Sequence, residues 1–244
     1  MRLALALIGK ALVFSREHPV LHTVALWFFV LPGMAMSVLL RLLTAYHDLL
    51  LPPSVQSPPF AIIVIVGGGI IIFWGIGCVL SIAKSALRTG SGRSPLSLGA
   101  IRTQGKSLLP RLFLTELLQE CVIILWGFLL VFPGIVVLIR TALVPVIVGF
   151  EGIAFRPALQ RSRELVLGHT WKTGWALLWL WILLFLPVLL VSEAISSVAE
   201  SQNPHFLFAV DLLENGLMAV SMVFQNLCLV FLYEHLKIMH APDQ

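Results

Sequence analysis

The segment "TGWALLWLWILLFLPVLLV" (residues 173–191) carries no charged side chain. It is long enough to cross the hydrocarbon core of a bilayer as a helix, which takes about 20 residues. The whole chain has the same character, since 59% of its 244 residues are hydrophobic, 11% are charged and the mean hydropathy is +0.98. So little polar surface cannot cover a water-soluble core. The sequence therefore predicts an all-α, polytopic helical bundle in a membrane, with residues 1–244 forming a single integral membrane domain.

Apolar runs of similar length recur along the chain and predict about six transmembrane helices. The third and fourth runs are separated only by "FPG" (132–134), which predicts a tight antiparallel hairpin. Arg140 and Pro145 interrupt the fourth run, so it either crosses at a kink or re-enters the membrane. The predicted spans are Pro19–Leu43, Phe60–Leu87, Arg111–Val131, Gly134–Glu151, Thr173–Val191 and Gly216–Leu236.

Three basic amphipathic segments are expected to lie at the membrane surface as elbow helices that lead into a span. They are an interfacial helix at 1–17 and cytoplasmic elbow helices at 94–110 and 155–169. In the last of these, Pro157 suits a first helical turn and Gly168 a carboxy-terminal cap. A proline turn or kink follows each segment, which favours three elbow-plus-hairpin repeats. The alternative is that any membrane protein with basic cytoplasmic loops shows this spacing.

The lysines and arginines indicate the orientation. If the amino terminus is cytoplasmic, every one of them except Arg41 and Arg140 falls on the cytoplasmic side. This is the positive-inside pattern. It predicts a multi-pass protein of the cell inner membrane with both termini in the cytoplasm.

Polar side chains inside the apolar runs form the first candidate site, because a charge in hydrocarbon is costly unless it finds water or a partner. One interpretation is structural: Arg140, near the outer turn, pairs with Asp211 or Glu214, and Glu120 bonds to nearby amides. The alternative is a polar path for a proton, an ion or a lipid headgroup. The candidate residues are Arg140, Glu116, Glu120, Gln119, Asp211, Glu214, Gln225 and Asn226.

The basic elbows form the second candidate site. Each basic residue near an anionic membrane surface contributes about 1 kcal/mol of attraction. The residues expected to contact anionic lipid headgroups are Arg156, Arg161, Arg163, Lys172, Arg102 and Lys106. Trp171, Trp175 and Trp179 form a stripe that anchors or packs the fifth span, or else lines a lipid-binding groove.

Signatures of catalysis are absent from the sequence. It has no His-Glu-x-x-His, no Gly-x-x-x-x-Gly-Lys and no Gly-x-Ser-x-Gly. Cys78, Cys121 and Cys228 fall inside predicted spans and are expected to be free thiols. His18 and His22 could share a helix face, but no third metal ligand lies nearby. No catalytic residue, metal or cofactor is predicted, and the chain is expected not to be an enzyme.

The run "FPGIVVLIRTALVPVIVGFEGIAFRPALQRSRELVLGHTWKTGWALLW" (132–179) resembles the membrane domain associated with some glycerophosphoryl diester phosphodiesterases and related multipass bacterial membrane proteins. The resemblance rests on Pro133-Gly134, Arg140, Pro145 and the pattern Ala158…Arg161-Ser162…Leu165…Gly168…Trp171. In two-part members of that family, catalysis belongs to a separate soluble barrel. The sequence holds no such barrel, so the resemblance implies a membrane domain without that activity.

Three functions remain open. The first is a non-enzymatic protein that handles or senses lipid, with anionic lipids as its partners. The second is a scaffold or accessory subunit of a larger membrane complex or homo-oligomer. The third is a transporter of a small solute or ion. No nucleic-acid partner is expected.

Overall fold

A computed structural model describes residues 1–45, 58–89, 97–199 and 204–240. Every regular element in this part of the chain is helical. Six stretches are long and apolar enough to cross a membrane, so the predicted all-α polytopic bundle is confirmed. The helices are α1 (Arg2–Glu17), α2 (Val20–Ala25), α3 (Leu31–Ala45), α4 (Pro58–Thr89), α5 (Leu98–Leu129), α6 (Val131–Thr141), α7 (Val144–Glu151), α8 (Arg156–Val166), α9 (Thr170–Ala199) and α10 (Pro204–Met239), and a π-helical turn (Leu26–Val30) joins α2 to α3.

The interfacial helix α1 packs against the carboxy-terminal part of α10, where the Phe14 and Phe231 rings are 5.8 Å apart. Helices α9 and α10 form an antiparallel pair. His169 before α9 contacts His240 after α10, with ring centroids 5.8 Å apart. Both described ends of the chain therefore lie at one end of the bundle, called here the α1 end. Which membrane face it occupies stays a prediction.

The predicted elbow helix at 94–110 is not a separate helix. Residues 94–96 lie outside the described part of the chain, and the rest of the segment is the first part of α5, which continues through Pro110. The Ser97 hydroxyl caps α5 by accepting a hydrogen bond from the Ala100 amide at 3.3 Å. Gly105 packs against Gly77, where an added Cβ would lie 2.9 Å from the Gly105 carbonyl oxygen. This close contact packs the segment against α4 as part of α5, so the predicted repeat lacks a separate second elbow helix.

The predicted turn at 132–134 is also misplaced. The chain breaks at Leu130, whose backbone is extended (φ −159°, ψ 128°), and Pro133 and Gly134 belong to the first turns of α6. Proline fits there because the first turn leaves its amides unpaired in any case. Gly134 lies against Gly127, where an added Cβ would be 2.9 Å from the Gly127 Cα. The hairpin is therefore as tight as predicted, but it turns earlier.

Residues 131–151 return to the end of the bundle from which they start. The Phe132 ring lies 6.0 Å from the Trp171 ring, at the amino end of α9. The Glu151 carboxylate accepts a hydrogen bond from Tyr233, near the carboxy end of α10, at 2.7 Å. Both ends thus lie toward the α1 end, which favours re-entry over crossing.

Helix α7 forms the centre of the fold. Val144, Val146, Ile147 and Val148 are fully buried. Gly149 allows α4 to pack closely against α7, since an added Cβ would lie 2.9 Å from Leu80 Cδ1. The predicted interruption of the fourth run lies at Ala142–Leu143, and Pro145 occupies the first turn of α7. The re-entrant segment is therefore an integral part of the core.

Candidate lipid-binding groove

A cavity of about 700 Å³ lies between α5 and α9. Helices α6 and α10 form its floor, with Ile139 and Leu229 among the lining side chains. Gly174 lets α9 approach α6 closely, because an added Cβ would lie 2.7 Å from Ile139 Cδ1. Binding sites for small molecules are typically cavities of about 300–1,000 Å³ with mostly apolar walls and a few polar groups. The groove has this size and this composition.

Helix α5 contributes most of the polar groups in the groove. Glu116, Gln119 and Glu120 share one helix face because they are three and four residues apart. The Gln119 side chain is 7% exposed, and its Oε1 atom has no hydrogen-bond partner. Neither carboxyl group makes a hydrogen bond or ion pair with any residue that the structure describes. A buried acceptor and two carboxylates therefore face the cavity without protein partners.

Gln225 of α10 completes the polar set. It lies one turn after Ser221, whose hydroxyl donates to the Leu184 carbonyl of α9 at 2.9 Å. Four of the eight predicted intramembrane polar residues thus meet in one groove.

Tryptophans form the opposite wall. Trp171, Trp175 and Trp181 line the groove and are 59%, 59% and 49% exposed, respectively. Trp179, the third member of the predicted stripe, instead packs against the core. A strict four-residue spacing drifts by about 40° per step around a helix with 3.6 residues per turn. At about 100° per residue, Trp179 and Trp181 lie about 80° to either side of Trp171, so the helical period does not favour Trp181 over Trp179.

The groove opens sideways from the bundle. Trp171 and Trp175 on one side and Ile135 and Leu138 on the other are exposed at its rim. These large apolar surfaces suit contact with hydrocarbon. The wall from Trp171 to Trp181 spans ten residues of α9, or about 15 Å of helix.

The other candidate polar residues lie elsewhere. The Arg140 carbonyl accepts a hydrogen bond from Ser162 of α8 at 2.7 Å, and the buried Arg140 Nε has no hydrogen-bond partner. Glu214 accepts a hydrogen bond from Ser192 at 2.5 Å. The predicted pairing of Arg140 with Glu214 is therefore wrong, because α6 ends against α8 and never reaches that part of α10. The side chain of Asp211 lies outside the described residues.

Asn226, the remaining member of the predicted network, bonds within its own helix. Its Nδ2 atom donates to the Met222 carbonyl at 2.9 Å. The predicted bonding of Glu120 to nearby amides is not found among the described residues, although Gln119 and Gln225 line the same groove. These groups face the cavity rather than one another, which leaves them available to a ligand.

Elbow helix α8 matches its predicted design. It begins beside Pro157, ends before the left-handed Gly168 (φ 82°) and buries Leu159, Ser162 and Leu165. Arg161 Nε lies 3.4 Å from a Glu151 carboxylate oxygen, so α8 is tied to the end of α7.

The basic side chains expected to contact headgroups fall into two sets. Arg161 also lies 3.7 Å from Glu164, and the Arg102 guanidinium lies 5.7 Å from the centre of the Trp27 ring, so both have protein partners. The others are exposed and pair with no residue that the structure describes: Arg156, Arg163, Lys172 and Lys106. Sequence reasoning missed that Glu151 contacts both Arg161 and Tyr233, because Tyr233 lies far from the other two in the chain.

Histidines and cysteines show no metal centre in the described residues. No group of three or more His, Cys, Asp or Glu side chains there could hold an ion. His18 is buried with its Nδ1 atom 2.9 Å from the Phe14 carbonyl oxygen, whereas His22 is exposed, so the two do not form a ligand pair. All three cysteines are free thiols, as predicted, and Cys121 is exposed.

Comparison with protein-family models, with curated proteins and with solved structures finds no match to this chain. The resemblance of residues 132–179 to the membrane domain associated with phosphodiesterases therefore stays a prediction.

Proposed function

We propose that this chain is a non-enzymatic, multi-pass protein of the cell inner membrane that binds a membrane lipid in the groove between α5 and α9. The proposal rests on a cavity of about 700 Å³ that has mostly apolar walls and exposed apolar residues at its rim. The polar groups inside it have no partner among the described residues. A lipid needs both kinds of surface, since its chains are apolar and its headgroup is polar. A water-soluble ligand would gain little from such walls.

The basic elbow supports the same proposal. Arg156, Arg163 and Lys172 are exposed, without partners in the described chain, and adjoin the segment that leads into α9. Such residues attract anionic headgroups. In the proposed orientation, α1, α8 and both termini face the cytoplasm, and the elbow concentrates anionic lipid beside the groove.

Native mass spectrometry of the tagged protein released from native nanodiscs tests this proposal. We expect retained lipid without a stoichiometric protein partner. Leu178→Trp, which fills the groove, should remove the lipid, whereas Leu190→Trp on the same helix outside the groove should retain it. A protein partner in fixed stoichiometry, with no effect of Leu178→Trp, would instead favour an accessory subunit.

A further inference from the structure

The charged side chains that line the groove among the described residues all carry the same sign. The lining side chains include the two carboxyl groups of Glu116 and Glu120 and no lysine, arginine or histidine. Carboxylates one helical turn apart repel each other, and leaving the partly buried Glu116 carboxylate unpaired among apolar walls is costly. A positively charged group bound between them relieves both effects, whereas an anion would add to the repulsion.

The tryptophan wall favours the same charge. Trp175 and Trp181 line the cavity, and the face of an indole attracts cations. The attraction strengthens when the cation is removed from water, as in this apolar groove. Indole rings and carboxylates in one cavity therefore suit an organic cation better than a hydrated metal ion.

The buried amide oxygen of Gln119 indicates which kind of organic cation fits the groove. Gln119 Oε1 is an acceptor without a donor, although its side chain is only 7% exposed. Leaving a buried acceptor unsatisfied costs about 1–3 kcal/mol. A primary ammonium group carries three N–H donors, enough for this oxygen and for both carboxylates. A quaternary ammonium group carries none and leaves the acceptor unsatisfied.

We propose that the groove recognises the primary ammonium group of an amine-headed membrane lipid, such as one with an ethanolamine headgroup. Glu116 and Glu120 balance its charge, Gln119 accepts one of its hydrogen bonds, and Trp175 and Trp181 cover it. This inference rests on the proposed function, since it assumes that the groove holds a lipid. The headgroup proposed for the groove therefore differs from the anionic headgroups expected at elbow helix α8.

The test uses the full-length protein in nanodiscs that contain equal amounts of three lipids with identical acyl chains and ethanolamine, choline or glycerol phosphate headgroups. The lipid retained by each protein molecule is identified by native mass spectrometry. We expect ethanolamine lipid to exceed choline lipid by about tenfold, the ratio that one charged hydrogen bond supplies. Glu116→Gln and Gln119→Leu should each lower this ratio, while Glu193→Gln, an exposed carboxylate of α9 outside the groove, should preserve it.

The outcomes separate the two proposals. Retained lipid that Leu178→Trp displaces, with equal ethanolamine and choline, would overturn the ammonium inference and leave the lipid groove standing. No retained lipid would overturn both. Selective retention of the glycerol phosphate lipid, unchanged by Glu116→Gln, would also overturn the inference and assign recognition to the basic elbow. Thermal unfolding of each variant shows whether a lost preference reflects lost structure.

Discussion

The Tyr233 hydroxyl donates a 2.7 Å hydrogen bond to the Glu151 carboxylate, which also lies 3.4 Å from Arg161. Three segments meet at this carboxylate: the end of the re-entrant α6–α7 segment, the elbow α8 and the last helix α10. The contact explains why the re-entrant segment stays at the α1 end.

Removing this hydrogen bond should destabilise the protein. Tyr233→Phe keeps the ring but leaves the carboxylate with one partner fewer, which costs about 1–3 kcal/mol for a bond to a charged group. We expect a lower melting temperature in detergent, with Glu151→Gln giving a smaller decrease because its amide oxygen still accepts the bond. An unchanged melting temperature for Tyr233→Phe would show that Tyr233 does not secure α7.

The contact between α4 and α5 depends on two glycines. A Cβ at Gly105 would lie 2.5 Å from Cys78 Sγ and 3.0 Å from the Cys78 amide nitrogen. Gly105→Ala should therefore force the helices apart and cost about 1–3 kcal/mol, the usual range for overpacking. Gly67→Ala on α4 meets nothing within 4 Å and should be neutral or slightly stabilising. Equal melting temperatures for the two variants would contradict the close contact.

The re-entrant geometry predicts which side of the membrane the α5–α6 turn faces. In a background without the three native cysteines, Leu130→Cys should react with a membrane-impermeant thiol reagent from the same side as His240→Cys. Both positions are exposed and lie toward the α1 end. Reaction from opposite sides would mean that α5 and α6 cross as a regular hairpin.

The arginines of α8 should separate into structural and lipid-contacting residues. Arg161 pairs with Glu151 and Glu164, whereas Arg163 is exposed and has no partner in the described chain. We expect Arg161→Ala to lower the melting temperature. Arg163→Ala should leave it unchanged but reduce retention of anionic lipid, by a factor of up to about five for about 1 kcal/mol. Equal effects of the two substitutions on both measurements would contradict this division.

The sequence predicts those parts of the fold that depend on local pattern. The uncharged run at 173–191 lies within α9, and Pro157 and Gly168 bracket α8 as expected. The third and fourth apolar stretches also lie where they were predicted, within Leu98–Leu129 and Val131–Glu151, but their ends differ. Those ends depend on contacts between distant residues, such as Gly77–Gly105, and on the backbone break at Leu130, neither of which a count of apolar residues reveals.

The candidate groove was predictable only in part. Glu116, Gln119, Glu120 and Gln225 stood out because polar residues in apolar helices are costly. Their meeting in one cavity was not predictable, because Gln225 lies more than a hundred residues from the others and no periodic signal links α5 to α10. Arg140 was a candidate for the same reason as Glu120. Its carbonyl instead accepts a hydrogen bond from Ser162 of α8, and Arg140 does not line the groove.

The sideways opening of the groove determines how its affinity must be expressed. A ligand that reaches Trp175 and Gln119 from the bilayer is supplied at its mole fraction among the surrounding lipids, not at its molarity in water. Diluting the sample in buffer would then leave occupancy unchanged, while adding inert lipid would lower it. Competition for the groove is therefore decided by membrane composition, and a soluble compound competes only in proportion to its partitioning into the bilayer.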